Sequence, residues 1–264
     1  MQRNPAPGWR ILLTPRWVRL MIAVVILATI CVLLGRWQLG RLEERRAHNA
    51  LVSANATAPA RPVADVLAVD QPPRAQDEWS RVIVRGTYDA RHQILVRYRQ
   101  LDGEPGFNVL TPLLQSDRTA VLVNRGWIAR SSAGGEPATP PPPPRGEVEV
   151  VGRVRLSEPA DPGEGRPRDG QVRVIAVDQI AAILPYPVLD GYVELVTERP
   201  EGPNPDTQPR PVPAPELSEG PHLAYAIQWF IFAAIAIGGL GYLARDEAHG
   251  RRPSSRHRGP TGED

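Results

Sequence analysis

The sequence predicts a membrane protein in which two transmembrane α-helices flank an extracytoplasmic, mainly-β domain of barrel- or sandwich-like, α+β character. Three observations predict it. Leu223 to Ala244 runs for 22 residues without a charge, about 33 Å of helix at 1.5 Å per residue against a hydrocarbon core of about 30 Å. Leu20 to Leu34 is a second apolar run, near the other end of the chain. Between them, from Glu78 on, the hydrophobic period changes to two, in short β-branched runs separated by turn residues.

In order, residues 1–16 read as a polar tail and 17–39 as the first transmembrane helix. Residues 40–77 read as a juxtamembrane helix and linker, 78–199 as the β domain and 200–220 as a Pro-rich linker. The second transmembrane helix takes 221–244, and an Arg-rich tail takes 245–264. A cleaved signal peptide is the rival reading of the first run. No small-x-small motif follows it; Arg36-Trp37-Gln38-Leu39-Gly40-Arg41 continues the helical pattern instead. Trp17 and Trp37 then mark the two interfaces, with Arg19 and Arg36 snorkelling.

Arg3, Arg10, Arg16 and Arg19 stand in the first tail without an acidic residue, and Arg245, Arg251, Arg252, Arg256 and Arg258 stand in the second. The positive-inside rule puts both termini in the cytoplasm, with the protein multi-pass in the plasma membrane and its central domain outside. The arginines from 36 to 46 pull the other way, so the orientation rests on the sum of the tails.

Strands are expected at 81–88, 93–98, 107–114, 120–128, 147–156, 171–177 and 191–197, all short runs with turn chemistry between them, in an antiparallel arrangement. Asp178 is expected to cap a short helix over 179–184, stopped by Pro185. Pro140 to Pro144 reads as a stiff polyproline surface loop within 131–145. Residues 54–76 read mainly as an Ala- and Pro-rich connector with a short helical turn around 63–69, and 200–215 as a Pro-rich linker. Both are extended and are expected to tether the domain to its helices rather than weld it to them.

All 31 basic residues are arginine, the net charge is only +2, and the arginines of the central domain are interspersed with acids. Nucleic-acid binding needs a concentrated basic face and is not expected. The single cysteine, Cys31, lies in the first apolar run, which excludes internal disulfides and CxxC or CxxCH chemistry. His92 is the one histidine of the β domain, with no nucleophile elbow and no HExxH spacing. The chain is not expected to be an enzyme.

Polar groups gather at one end of the helices. Pro221 suits the first helical position, with Gly220 as cap and His222 in the first turn. His222, Tyr225 and Trp229 follow i, i+3, i+7 spacing on one face. Trp37, Gln38 and Arg41 lie at the same end of the first helix, and Ala234, Gly238, Gly239 and Gly241 offer a small-residue groove for packing. Two readings stand. An aromatic and histidine belt at the interface needs no ligand. Alternatively, the His222 imidazole ligates haem iron between Tyr225 and Trp229, with Arg36, Arg41 or Arg125 pairing the propionates.

Several motifs recur in one order: Leu34-Gly35-Arg36-Trp37-Gln38 with Arg41, Arg85-Gly86-Thr87-Tyr88, Gly106-Phe107-x-Val109-x-Thr111-Pro112-Leu113, and Val123-Asn124-Arg125-Gly126-Trp127-Ile128. Pro185-x-Pro187 and His222-Leu223-x-Tyr225-Ala226-x-Gln228-Trp229-Phe230 complete the set. Together they resemble the Surfeit locus protein 1 family of cytochrome c oxidase assembly factors. The resemblance implies a role in maturing the catalytic subunit of the haem-copper oxidase, with haem a as a transient cofactor. His222 falls at the position of the family's histidine. The implied partners are the oxidase catalytic subunit, the haem a synthesis machinery and the lipid bilayer. A scaffold that docks an oxidase subunit without a cofactor is the alternative. Gly220-Pro221, where relatives carry Asn shortly before the histidine, departs from the family pattern.

Overall fold

The computed structural model describes residues 13–130, 140–202, 208–215 and 217–249. Much of both tails and of the 131–145 insertion, both named above, therefore lies outside the described residues. The chain forms two units: one takes everything up to Ala47 and from Ser218 on, the other His48–Leu217.

The first unit is built on helix α1 (Pro15–Thr57), whose first part it contains, and helix α3 (His222–His249). Each is long and apolar enough to cross a membrane, and only 17% and 11% of their apolar windows are buried, unlike the core helix of a soluble fold. No break separates a spanning helix from a juxtamembrane one near residue 40: α1 continues through Gly40, because Leu39 to Val52 are mostly good helix formers.

The two helices meet along narrow seams. On α1 the inward positions are Val24, Ala28, Cys31, Gly35, Gln38 and Leu42; on α3 they are His222, Ala226, Trp229, Ala233, Ala236 and Leu240. Both sets alternate steps of four and three, the 3.5-residue period of a left-handed, coiled-coil-like pair. Contacts run antiparallel, from Arg46 with Glu219 through Gln38 with His222 to Ala28 and Cys31 with Ala233. Gly35 makes the close approach: a Cβ there would sit 2.8 Å from the Phe230 ring. The glycines expected to supply the groove do not, since a Cβ at Gly238, Gly239 or Gly241 would meet nothing within 4 Å.

The second unit carries β1 (Arg61–Pro62), β2 (Arg81–Tyr88), β3 (Ile94–Leu101), β4 (Glu104–Leu114) and β5 (Ala120–Ala129). β6 (Glu147–Arg155), β7 (Gln171–Val172), helix α2 (Val177–Ala181) and β8 (Val188–Arg199) follow. One mixed sheet of eight strands runs in the order β1-β2-β6-β8-β5-β4-β3-β7, and a further pairing of β2 with β4 closes a circuit of five strands. The expected antiparallel arrangement is corrected at three places: β1–β2, β3–β7 and β5–β8 are parallel. β8 returns to β5 after β6, β7 and α2, and a connection of that length permits parallel pairing. β5 is buried on both faces. Val121 and Val123 join one core with Val82, Val84 and Val150, while Leu122 joins another with Ile175 and Ile180 of the α2 region.

The strand expected over 171–177 is cut to two residues. The amides of Ile175 and Val177 are taken by Glu158 Oε2 and Ser157 Oγ, so no ladder continues. α2 consequently starts at Val177, with Asp178 in its first turn rather than at its cap.

The connectors pack on the β unit, and the helical turn expected around 63–69 is present as a 3-10 turn over Val63–Asp65. Val63 and Leu67 are buried in the core, and Asn55, near the end of α1, donates to the carbonyls of Gln76 and Glu78. Arg210 pairs with Trp127, amide to carbonyl in both directions at 2.7 and 2.8 Å. Gly126 permits this: its φ is +130°, and a Cβ would fall 2.4 Å from the Arg210 carbonyl. Pro143 and Pro144 are buried as well, so the described part of the polyproline run lies against the domain.

Candidate functional site

In the helical unit the chemistry gathers at the His222 end of the seam. His222 opens α3; the Tyr225 amide donates to the Pro221 carbonyl, which makes Pro221 the cap, one residue later than expected. Gly220, with φ of +68°, turns the chain into the helix. His222 Nδ1 lies 2.8 Å from Gln38 Oε1. A carbonyl oxygen only accepts, so in the neutral imidazole this contact puts the proton on Nδ1 and leaves the lone pair on Nε2. A Cβ on Gly220 would lie 3.5 Å from that Nε2, so the glycine keeps a side chain away from the nitrogen on that side.

Trp229 is half-buried two turns further on, against Ala28, Cys31 and Ala233, with its indole edge-on to Phe232. Tyr225 stays 48% exposed at the edge of the seam. The groups expected from α1 divide. Gln38 faces the seam, whereas Trp37 is 58% exposed and Arg36 and Arg41 point outward. At about 100° per residue, Trp37 falls nearly opposite the face that carries Gly35 and Gln38. Arg41 bonds Glu44 one turn along at 2.6 Å. Arg36 has no hydrogen-bond or ionic partner among the described residues. Gln38, whose oxygen fixes the tautomer, carries the signal that composition hid: one amide at a seam position of an apolar helix.

Arg125 belongs to the β unit and its role there is structural. It is 1% exposed, donating to the Gln93 and Gln208 side chains at 3.3 and 2.8 Å and to the Pro141 carbonyl at 3.0 Å. It therefore fastens both Pro-rich segments to β5, and burial lowers its pKa. The Tyr88 hydroxyl, beneath that guanidinium, bonds Glu198, and burial raises it well above the usual phenol range.

Around Glu194, 3% exposed, a second buried set is balanced internally. Arg155 pairs with Glu194 and Glu78, Arg153 lies 3.8 Å from Glu194 and donates to the Val212 carbonyl, and Arg99 pairs with Glu158. Burial raises the Glu194 carboxyl above its ordinary range, against the pull of Arg155 and Arg153. A cavity of about 230 Å³ opens beside this set, lined by Arg99, Arg155, Glu158, Glu194 and Trp127. Among the described residues no group of three or more His, Cys, Asp or Glu side chains is placed to hold a metal ion.

The architecture and the helix seam define a class: a mixed-sheet domain that lies, along the chain, between two apolar helices, with a histidine bonded to a seam amide opening the second. The SURF1 family profile matches residues 25–234. Uncharacterised SURF1-like proteins of Mycobacterium bovis and Mycobacterium tuberculosis are 32% identical over 93% of this chain and 90% of their own length. A SURF1-like protein of Rickettsia felis is 31% identical over 41% of this chain and 46% of its own. The chain belongs to the SURF1 family.

Proposed function

We propose that the chain is a membrane-anchored, non-enzymatic assembly factor in cytochrome c oxidase biogenesis, holding haem a at His222 for insertion into the catalytic subunit. The observation that carries this reading is the 2.8 Å contact of His222 Nδ1 with Gln38 Oε1. It leaves Nε2 as the free donor, the arrangement by which a second-shell acceptor prepares imidazole for a metal. Haem, when bound, supplies an iron that accepts an axial nitrogen. The chain's own residues do the rest. Gln38 orients the ring, Trp229 lies on the same helix face two turns further along, and Tyr225 and Arg36 are accessible on the helix exteriors for macrocycle and propionate. Trp37, nearly opposite the seam, is left out. Arg41 serves only if it exchanges its bond to Glu44. Arg125 is committed to Gln93, Gln208 and Pro141 and is left out of the ligand set.

Family membership supports the oxidase as the client, with the haem a synthesis machinery as the donor partner. The two helices support anchoring in the bacterial plasma membrane, and the arginine tails support cytoplasmic termini with the β unit outside. We read the closed circuit of five strands as a small barrel. Co-expression with the haem a synthesis enzymes, followed by detergent purification, tests the carrier role: a Soret band of haem a is expected. A folded protein without the band leaves the cofactor-free scaffold. Topology is checked by a reporter fused after Asp264, expected to be active only in the cytoplasm.

A further inference from the structure

The arginines of the β unit fall into two kinds. Those around Glu194 and Glu158 each have a carboxylate close by. Four others do not. Arg97, Arg166, Arg168 and Arg173 line a groove of about 300 Å³, whose lining contains a single acid, Glu164. None of the four guanidinium groups has an ionic partner among the described residues.

The fold brings these charges together rather than leaving them scattered. β3 and β7 pair in parallel as far as Val96 opposite Val172, and the residues that follow each, Arg97 and Arg173, both reach the Tyr98 ring. Like charges gathered in this way are destabilising. A register shift between Val96 and Arg99 marks a bulge, and in it Tyr98 takes φ of +60°, a left-handed conformation rare for an aromatic residue. The ring is 67% exposed, with the guanidinium carbons of Arg97 and Arg173 each 5.4 Å from its centroid. Arg97 Nε is buried and has no hydrogen-bond partner among the described residues. The opposite wall is pinned: Gln179 Oε1 accepts from the amides of Gly163 and Gly165 at 2.9 and 3.0 Å, and its Nε2 donates to the Asp161 carbonyl. Arg166 and Arg168 are thus presented from a loop already held in shape, which reduces the ordering cost of binding.

We propose that this groove binds an oxyanion of the phosphate class. Guanidinium forks match tetrahedral oxyanions bidentately, and an anion between Arg97, Arg173 and the 166–168 loop relieves the repulsion that the pairing of β3 with β7 imposes. The phosphate comes either free in solution or from an anionic phospholipid headgroup.

The test is titration calorimetry of the full chain in zwitterionic detergent at low ionic strength. Inorganic phosphate and short-chain phosphatidylglycerol are used as separate probes. Saturable binding of at least one is expected, weakened about tenfold or more in Arg166→Gln/Arg168→Gln, as loss of charge-assisted bonds requires. Both arginines are exposed, so the double variant is expected to melt like the parent; Arg173→Gln gives an independent check. Binding of phosphatidylglycerol alone identifies the headgroup as the source, and binding of both probes identifies the phosphate group itself. Absence of saturable binding of either probe by the folded parent overturns the proposal, as does undiminished binding by the variants.

Discussion

In the helical unit Ile22, Val25, Ile235 and Ile237 face outward, while alanine, glycine and cysteine line the seam. In the β unit Val82, Val84, Val121 and Val150 are buried, and charged groups cover the outside or are paired within. The first arrangement is stable only where the surroundings are themselves apolar, with association carried by close packing of small residues. The second excludes water by itself and needs no such surroundings. Polar groups accordingly differ in meaning. A lone amide and imidazole stand out from the apolar helix seam around them, whereas buried arginines in the β unit such as Arg125 and Arg155 are fasteners.

The largest effect should come from breaking a fastener. Arg125→Ala removes the donor shared by Gln93, Gln208 and the Pro141 carbonyl, and loss of one partner from a buried charged network costs about 3 kcal/mol or more. Thermal denaturation of the detergent-solubilised chain should show the β unit melting much earlier. Next is the seam. Gly35→Leu must displace the Phe230 ring and should cost about 1 to 3 kcal/mol in helix pairing. Gly238→Leu, in open space, should leave the helical melt unchanged; equal effects of the two would mean that the seam is misassigned.

A smaller effect is expected from the buried acid. Because the folded state raises the Glu194 pKa, the unfolded chain releases its proton first as pH rises above the ordinary value near 4.5. The stability contributed by the protonated group is present at low pH and is lost as pH rises through the raised value. Glu194→Gln should flatten that fall in a series of melts from acid to neutral pH, and an unaltered pH profile would place the trend elsewhere. Smallest of all, Glu219→Gln should have no detectable effect on the melt. Its bidentate bond to Arg46 is solvent-exposed on both sides and screened.

Much of this is legible in the residues. Alternating β-branched runs announce β2, β4, β5 and β6, and unbroken apolar runs announce α1 and α3. The seam is not legible, because Gly35, Ala28 and Cys31 differ little in hydropathy from their neighbours and only their 3.5-residue spacing marks them. The outward face of Trp37 is hidden for the same reason, since proximity in sequence to Gln38 says nothing of the face it shares. Arg125 resembles a ligand group in the sequence because its partners lie 16, 32 and 83 residues away, one of them in a Pro-rich connector that composition alone presents as loose. The unpaired arginines at 97 and 173 become visible only once β7 is seen to lie parallel to β3.

The central claim is that His222, oriented by Gln38, is the nitrogen offered to a haem. It is tested most directly by the absorption spectrum of the protein purified from cells that make haem a, compared with His222→Ala produced in the same way. A Soret band in the parent that is lost or shifted in His222→Ala, with both proteins equally helical, is the result expected. Identical spectra from the two would contradict it.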